Sequence, residues 1–151
     1  MYQRDRRVVP DFDGGESLYL RYGREDFIEG QLTPAGIRFP KTSVNRGSLS
    51  QPEDVLFAED GKYNGLGVVE FPVSDIPPRI AQDQGPTYVF FMRHVPYADN
   101  YSHSEIWSDQ ATGSGDYREP SKTVKLKFRI HLCQRITRER IRVEAVRNRV
   151  S

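Results

Sequence analysis

Over most of its length the chain alternates apolar and polar residues in short stretches, the period of strands that bury one face. From Ser17 to Gly23, Leu18, Leu20 and Tyr22 fall on one side and Tyr19 and Arg21 on the other, and Gly23 ends the run. Phe27 to Leu32 and Gly36 to Phe39 predict two more short strands flanking the turn Thr33-Pro34-Ala35-Gly36. Leu66 to Val73 sets Val69, Phe71 and Val73 on one side and stops before Pro77-Pro78, which cannot donate to a ladder. Thr87 to Val95 is apolar on both sides through Tyr88-Val89-Phe90-Phe91-Met92, the pattern of a central strand.

Alternation returns from Ser102 to Trp107, and the short polar connection 96–101 predicts an antiparallel hairpin. The most regular alternation lies further on, with Val124, Leu126, Phe128, Ile130 and Leu132 against Lys125, Lys127, Arg129 and His131. It predicts a long strand with one basic face. Ile141, Val143 and Ala145 then favour a return strand over a helix capped by Thr137 and running to Arg149.

Only one stretch begins like a helix. Ser50-Gln51-Pro52-Glu53 fits a capping box with proline in the first turn, and Val55, Leu56 and Phe57 would anchor a short helix near 51–58. Residues 1–16 lack periodicity and predict an irregular arm, in which Asp11 to Glu16 lacks the ligands of a calcium loop and reads as a plain turn. Residues 108–121, with Gly113-Ser114-Gly115 and Pro120, predict a flexible loop. The expected fold is therefore mainly β, α+β at most. It is a single mostly antiparallel barrel or sandwich of seven or eight strands spanning 17–151, with one short helix.

At 151 residues the chain has the size of one domain. Its single cysteine, Cys133, cannot form an internal bridge, and Met1 to Arg7 is not followed by an apolar stretch; both favour a cytoplasmic location. No apolar run is long enough to predict a membrane span. The net charge of +1 conceals a split: residues 122–151 hold ten basic and two acidic side chains, so the remainder is acidic. Segment 122–149 is thus a candidate surface for nucleic acid or an acidic protein.

Three groups of residues suggest chemistry. If 96–101 is a plain hairpin loop, His94 pairs with His103, with Glu105 on the same face and Tyr101 above it. Two imidazoles and a carboxylate are what proton transfer near neutral pH requires, and His94, His103 and Glu105 could equally hold a divalent metal. The second group is Ser43, Asn45 and Arg46, read as a polar loop before the helix that could bind an anion. The third is the basic row Lys125, Lys127 and Arg129, spaced like phosphates along a strand. Phosphate-binding glycine loops, dinucleotide fingerprints, paired-cysteine metal sites and nucleophile elbows are all absent. The leading expectation is a small hydrolase acting on a phosphodiester or other anionic substrate, such as an RNase. The alternative is a non-catalytic module that docks its basic C-terminal hairpin on a partner.

Overall fold

The computed structural model describes residues 11–56 and 67–144. Seven strands form one open antiparallel sheet. They are β1 (Ser17–Tyr22), β4 (Thr42–Arg46), β5 (Gly67–Pro72), β6 (Arg79–Ile80), β7 (Tyr88–His94), β8 (His103–Gln110) and β9 (Ile141–Glu144). Their order across the sheet is β6-β7-β8-β4-β1-β5-β9. The mostly antiparallel β architecture expected from the periodicity is what the chain adopts, and the sheet does not close into a barrel. Two short strands, β2 (Phe27–Ile28) and β3 (Gln31–Leu32), make a separate ribbon, and two α-helices, α1 (Pro52–Leu56) and α2 (Lys122–Cys133), complete the fold.

The two faces of the sheet have different fates. Leu18, Leu20, Tyr22, Val44, Val69, Phe71, Tyr88, Phe90 and Ile106 point to one side and pack with Val124, Phe128 and Leu132 of α2. The Phe90 and Phe128 rings meet at 4.5 Å between centroids. The opposite face carries a smaller cluster in which Val55 and Leu56 of α1 cover Tyr19 and Val68. Among the described residues this helix packs on the β1, β5 and β9 side, and no helix packs on the β4 and β8 part of the second face.

Several predicted elements change. The segment expected as a long basic strand is α2. Its alternating pattern is compatible with both periods, because Val124, Phe128 and Leu132 also recur every fourth residue and form one helical stripe. Ser121 decides the outcome locally: its hydroxyl accepts from the Val124 amide and caps the helix directly after Pro120. Leucine, lysine and arginine are also good helix formers. Leu126 and Ile130, expected in the core, are 53% and 42% exposed.

Phe27 to Leu32 is not one strand but the β2–β3 ribbon, turned at Glu29 and Gly30 with φ of 54° and 81°, the paired left-handed conformation of a tight hairpin. Residues 36–39 form no strand; Pro34–Gly36 is a 3-10 turn. The middle of the sheet is β4, not β7, and β7 lies second from an edge. The capping box on Ser50 and Glu53 is not formed. Ser50 donates to the Arg46 carbonyl, and Asp54 accepts from the Gln51 amide instead.

Helix α1 matches the expected short helix over 52–56, while 57 and 58 lie outside the described residues, as do 1–10 of the arm and 145–149 of the return strand. Residues 11–16 are irregular but docked: Glu16 and Gly14 accept from the amides of Val73 and Ser74, and Asp13 closes a turn on Gly15. Part of the expected loop 108–121 is strand, since β8 runs to Gln110. Among the described residues no helix is long and apolar enough to cross a membrane.

The helical assignment of 122–133 predicts a split response along one alternating series. Phe128→Ala should cost about 3–5 kcal/mol in urea denaturation, and Leu126→Lys and Ile130→Lys should each stay within about 0.5 kcal/mol. A large loss for all three would mean that they share one buried strand face.

Candidate functional site

The hairpin between β7 and β8 determines where the histidines go. Near the loop Tyr97 bridges Asn100, yet in the strands His94 lies opposite Ser104 and Arg93 opposite Glu105. Between these two pairs, two residues on one strand therefore face three on the other, and the extra residue lies in the stretch Tyr101-Ser102, as in a bulge. Side-chain direction has a period of two, so this single residue moves His103 to the face opposite His94. The expected pairing of His94 with His103 does not form. Among the described residues no group of three or more His, Cys, Asp or Glu side chains comes together that could hold a metal ion.

His94 turns to the core face. Its Nδ1 lies 3.3 Å from the Ser104 hydroxyl and its ring meets Tyr101 edge-on at 5.3 Å. Burial and then the positive charge of Arg46 hold its pKa below the ordinary 6.5. Arg46 occupies the same face. Its guanidinium is 1% exposed, donates to both carboxylate oxygens of Glu16 at 2.8 and 2.7 Å, and lies 3.8 Å from the Phe12 ring centroid. Burial alone would raise the Glu16 carboxyl, but hydrogen bonds from Arg46 and Ser48 outweigh it and keep the pKa low. Arg46 is thus a structural cation fastening the N-terminal segment to β4, not an anion-binding group; removing either partner from such a buried pair typically costs about 3–5 kcal/mol.

Ser43 and Asn45 part company with Arg46 because 42–46 is a strand rather than a loop. They point to the open face, where Asn45 lies opposite both Tyr19 of β1 and His103 of β8, and Ser43 lies opposite Glu105. A cleft of about 460 Å³ forms there. Its lining includes Tyr19, Arg21, Ser43, Asn45 and His103 from the sheet, and Glu25, Arg38 and Lys41 from the connections above it. Among the described residues, Arg21, Arg38 and Lys41 line the cleft together with the Glu25 carboxylate. Arg38 is 64% exposed and makes only a long 3.4 Å contact with Asp26. Lys41 has φ of 51°, a backbone conformation uncommon for a side chain of its size.

The cleft is held firmly. Asn45 donates its amide hydrogens to Asn100 and Ser102, tying the hairpin loop to β4, and so serves the shape of the cleft rather than offering donors. The His103 ring stacks on Tyr97 at 4.1 Å, and its Nδ1 lies 2.8 Å from the Val95 carbonyl. With Nδ1–H donated to that carbonyl, Nε2 is the ring atom left to meet a ligand. Glu105 shares the open face as expected but accepts from the Trp107 indole at 2.9 Å.

The third predicted group disperses on α2. Lys125 pairs with Glu119, Lys127 donates to the Ala81 carbonyl at 3.0 Å, and Arg129 donates to the Ile37 carbonyl at 2.9 Å. Cys133 is buried at the end of α2, and burial pushes its thiol up to about 11, as for an inert structural cysteine. The cations at Arg21, Arg38 and Lys41 escaped the sequence reading. The alternation of β1 already set Arg21 apart from the core, but nothing in the sequence indicates that 38–41 folds over the same face.

The lowered pKa of His94 has a defined effect on stability. The unfolded chain takes up the imidazole proton more readily than the folded one, so stability is complete above 6.5 and falls as pH drops through 6.5 toward the folded value. His131, lowered by burial and then by Arg135, acts in the same direction. The urea midpoint should therefore drop between about pH 7.5 and pH 5.5 by a smaller amount in His94→Gln than in the parent. An unchanged slope would show that His94 does not titrate below its unfolded value. Comparison with family models, curated proteins and solved structures finds no match for this chain, so its function rests on the geometry of the cleft.

Proposed function

We propose that this protein binds an anionic ligand, a phosphate ester above all, in the cleft on the open face of its sheet. The observation that carries this reading is the presence of Arg21, Arg38 and Lys41 in the lining of one cleft of about 460 Å³, together with Ser43 and His103. Charge-assisted donors of this kind recognise phosphate oxygens with hydrogen bonds about twice as strong as neutral ones. The volume lies within the range of about 300–1,000 Å³ common to small-molecule sites. The lining is polar on most sides, which favours a charged ligand over an apolar one.

Hydrolysis of a bound phosphodiester is a second reading, favoured by one observation. The Val95 carbonyl fixes the tautomer of His103, which leaves Nε2 as the proton acceptor of a ring that lines the cleft. In this form the reaction relies on His103 alone, with Lys41 or Arg21 countering charge on the phosphate. Docking of segment 122–149 on an acidic partner or a nucleic acid has less support, since Lys125 and Arg142 are engaged by Glu119 and Glu70.

Calorimetric titration with inorganic pyrophosphate tests the first reading. Binding should weaken as salt is added, and Arg21→Gln and Lys41→Gln should each raise Kd by about 10-fold or more, while Lys125→Gln leaves it unchanged. Equal affinity in all three variants would remove the cleft from consideration. For the second reading, His103→Ala should retain binding within a few-fold and abolish hydrolysis of a phosphodiester probe; hydrolysis unaffected by that change would reject His103 as the reacting group.

A further inference from the structure

The open face continues past the cleft into a strip of aromatic rings and cations. Trp107 lies opposite Phe91 across the β7–β8 pair, with ring centroids 6.5 Å apart. Tyr117 meets the Trp107 ring edge-on at 6.0 Å. Two cations rest on these rings: Lys41 Nζ lies 4.8 Å from the Trp107 centroid and 5.0 Å from that of Tyr117, and the Arg93 guanidinium lies 5.1 Å from Trp107. Among the described residues neither cation has a carboxylate within 4.0 Å. Arg93 instead donates to the Gly115 carbonyl at 3.1 Å.

Lys41 belongs to both regions, lining the cleft while its ammonium covers the rings. Ser43 pairs with Glu105, so Trp107, two residues further along β8, lies diagonally across from Ser43. Such diagonal neighbours on one face are about 7–8 Å apart. A cationic pocket and a half-buried indole are thus separated by little more than the length of a sugar.

We infer that the cleft and the aromatic strip together form a nucleotide site, with the phosphate held by Arg21, Arg38 and Lys41 and the base stacked on Trp107. This deepens the anion-binding reading and rests on it. Every base offers a π-face to an indole, and stacking of this kind contributes about 1–3 kcal/mol per base without requiring a particular sequence. In the free protein Lys41 and Arg93 cover the rings through cation–π contacts. On binding, the base takes their place, and Lys41, anchored at the cleft rim, turns its ammonium to the phosphate. Phosphate and base therefore support each other's binding through one side chain. The same chemistry comes from a free nucleotide or from one unit of a single strand, and affinity distinguishes the two.

Trp107 is the chain's single tryptophan, so its fluorescence reports on the strip alone. The full chain is titrated with adenosine monophosphate, ribose 5-phosphate and a short single-stranded oligonucleotide. Adenosine monophosphate should quench Trp107 and bind about 10-fold or more tighter than ribose 5-phosphate. By calorimetry, Trp107→Leu should remove that advantage without weakening ribose 5-phosphate binding, and Trp107→Phe should keep most of it. An oligonucleotide tighter than the mononucleotide identifies a strand as the ligand, and equal affinity identifies the free nucleotide. If adenosine monophosphate and ribose 5-phosphate bind equally, with no quenching, the nucleotide inference fails and the anion reading stands. If neither ligand binds while pyrophosphate does, the nucleotide inference again fails alone; if none of the three binds, both fail.

Discussion

The register between β7 and β8 is the constraint on which the rest of the structure depends. Tyr88, Phe90 and Ile106 must face α2 to bury the core, and with a side-chain period of two this fixes the direction of every other residue on both strands. His94 follows the core residues inward and His103 points outward. One extra residue at Tyr101-Ser102 absorbs the mismatch between the loop and the strands, and so separates two imidazoles that a regular hairpin would have set side by side.

The unequal cover on the two sides of the sheet turns this register into a site. Helix α2 spans the core face, whereas α1 is a short element that packs on Tyr19, Val68 and Val143 on the other. Among the described residues the cleft and the aromatic strip lie beyond the reach of α1 on that face. Charge is sorted in the same way. Arg46 on the core face is paired with Glu16, while Arg21, Arg38 and Lys41 line the cleft on the other side of the sheet. One strand, β4, supplies both environments by alternation, since Arg46 and Val44 point inward and Ser43 and Asn45 outward.

Much of this was legible in the sequence where a single physical signal acted. The alternation of β1, β5 and β8 and the short α1 follow from local pattern, and so do the shared face of His103 and Glu105 and the open-face position of Arg21. The signal failed where two structures satisfied it equally. Val124 to Leu132 alternates and also repeats every fourth residue, and the Ser121 cap together with helix-forming lysine, arginine and leucine decided for the helix. The polar run Thr42 to Ser48 resembled a loop because its strand is central in the sheet yet borders a polar cleft on one side. The bulge at Tyr101-Ser102 has no local signature at all, since neither residue is glycine. For the same reason the aromatic strip could not be foreseen: Lys41, Phe91, Trp107 and Tyr117 come from four separate segments that only the folded sheet brings together.

The segregation of His94 from His103 is the claim most directly open to measurement. The chain has three histidines, so their ring protons can be assigned without ambiguity in a carbon-resolved nuclear Overhauser spectrum. Contacts are expected from the His103 ring to Tyr97 and from the His94 ring to Tyr101, with none between the two imidazoles. A ring-to-ring contact between His94 and His103 would contradict the segregation, because that requires the two histidines to share one face of the sheet.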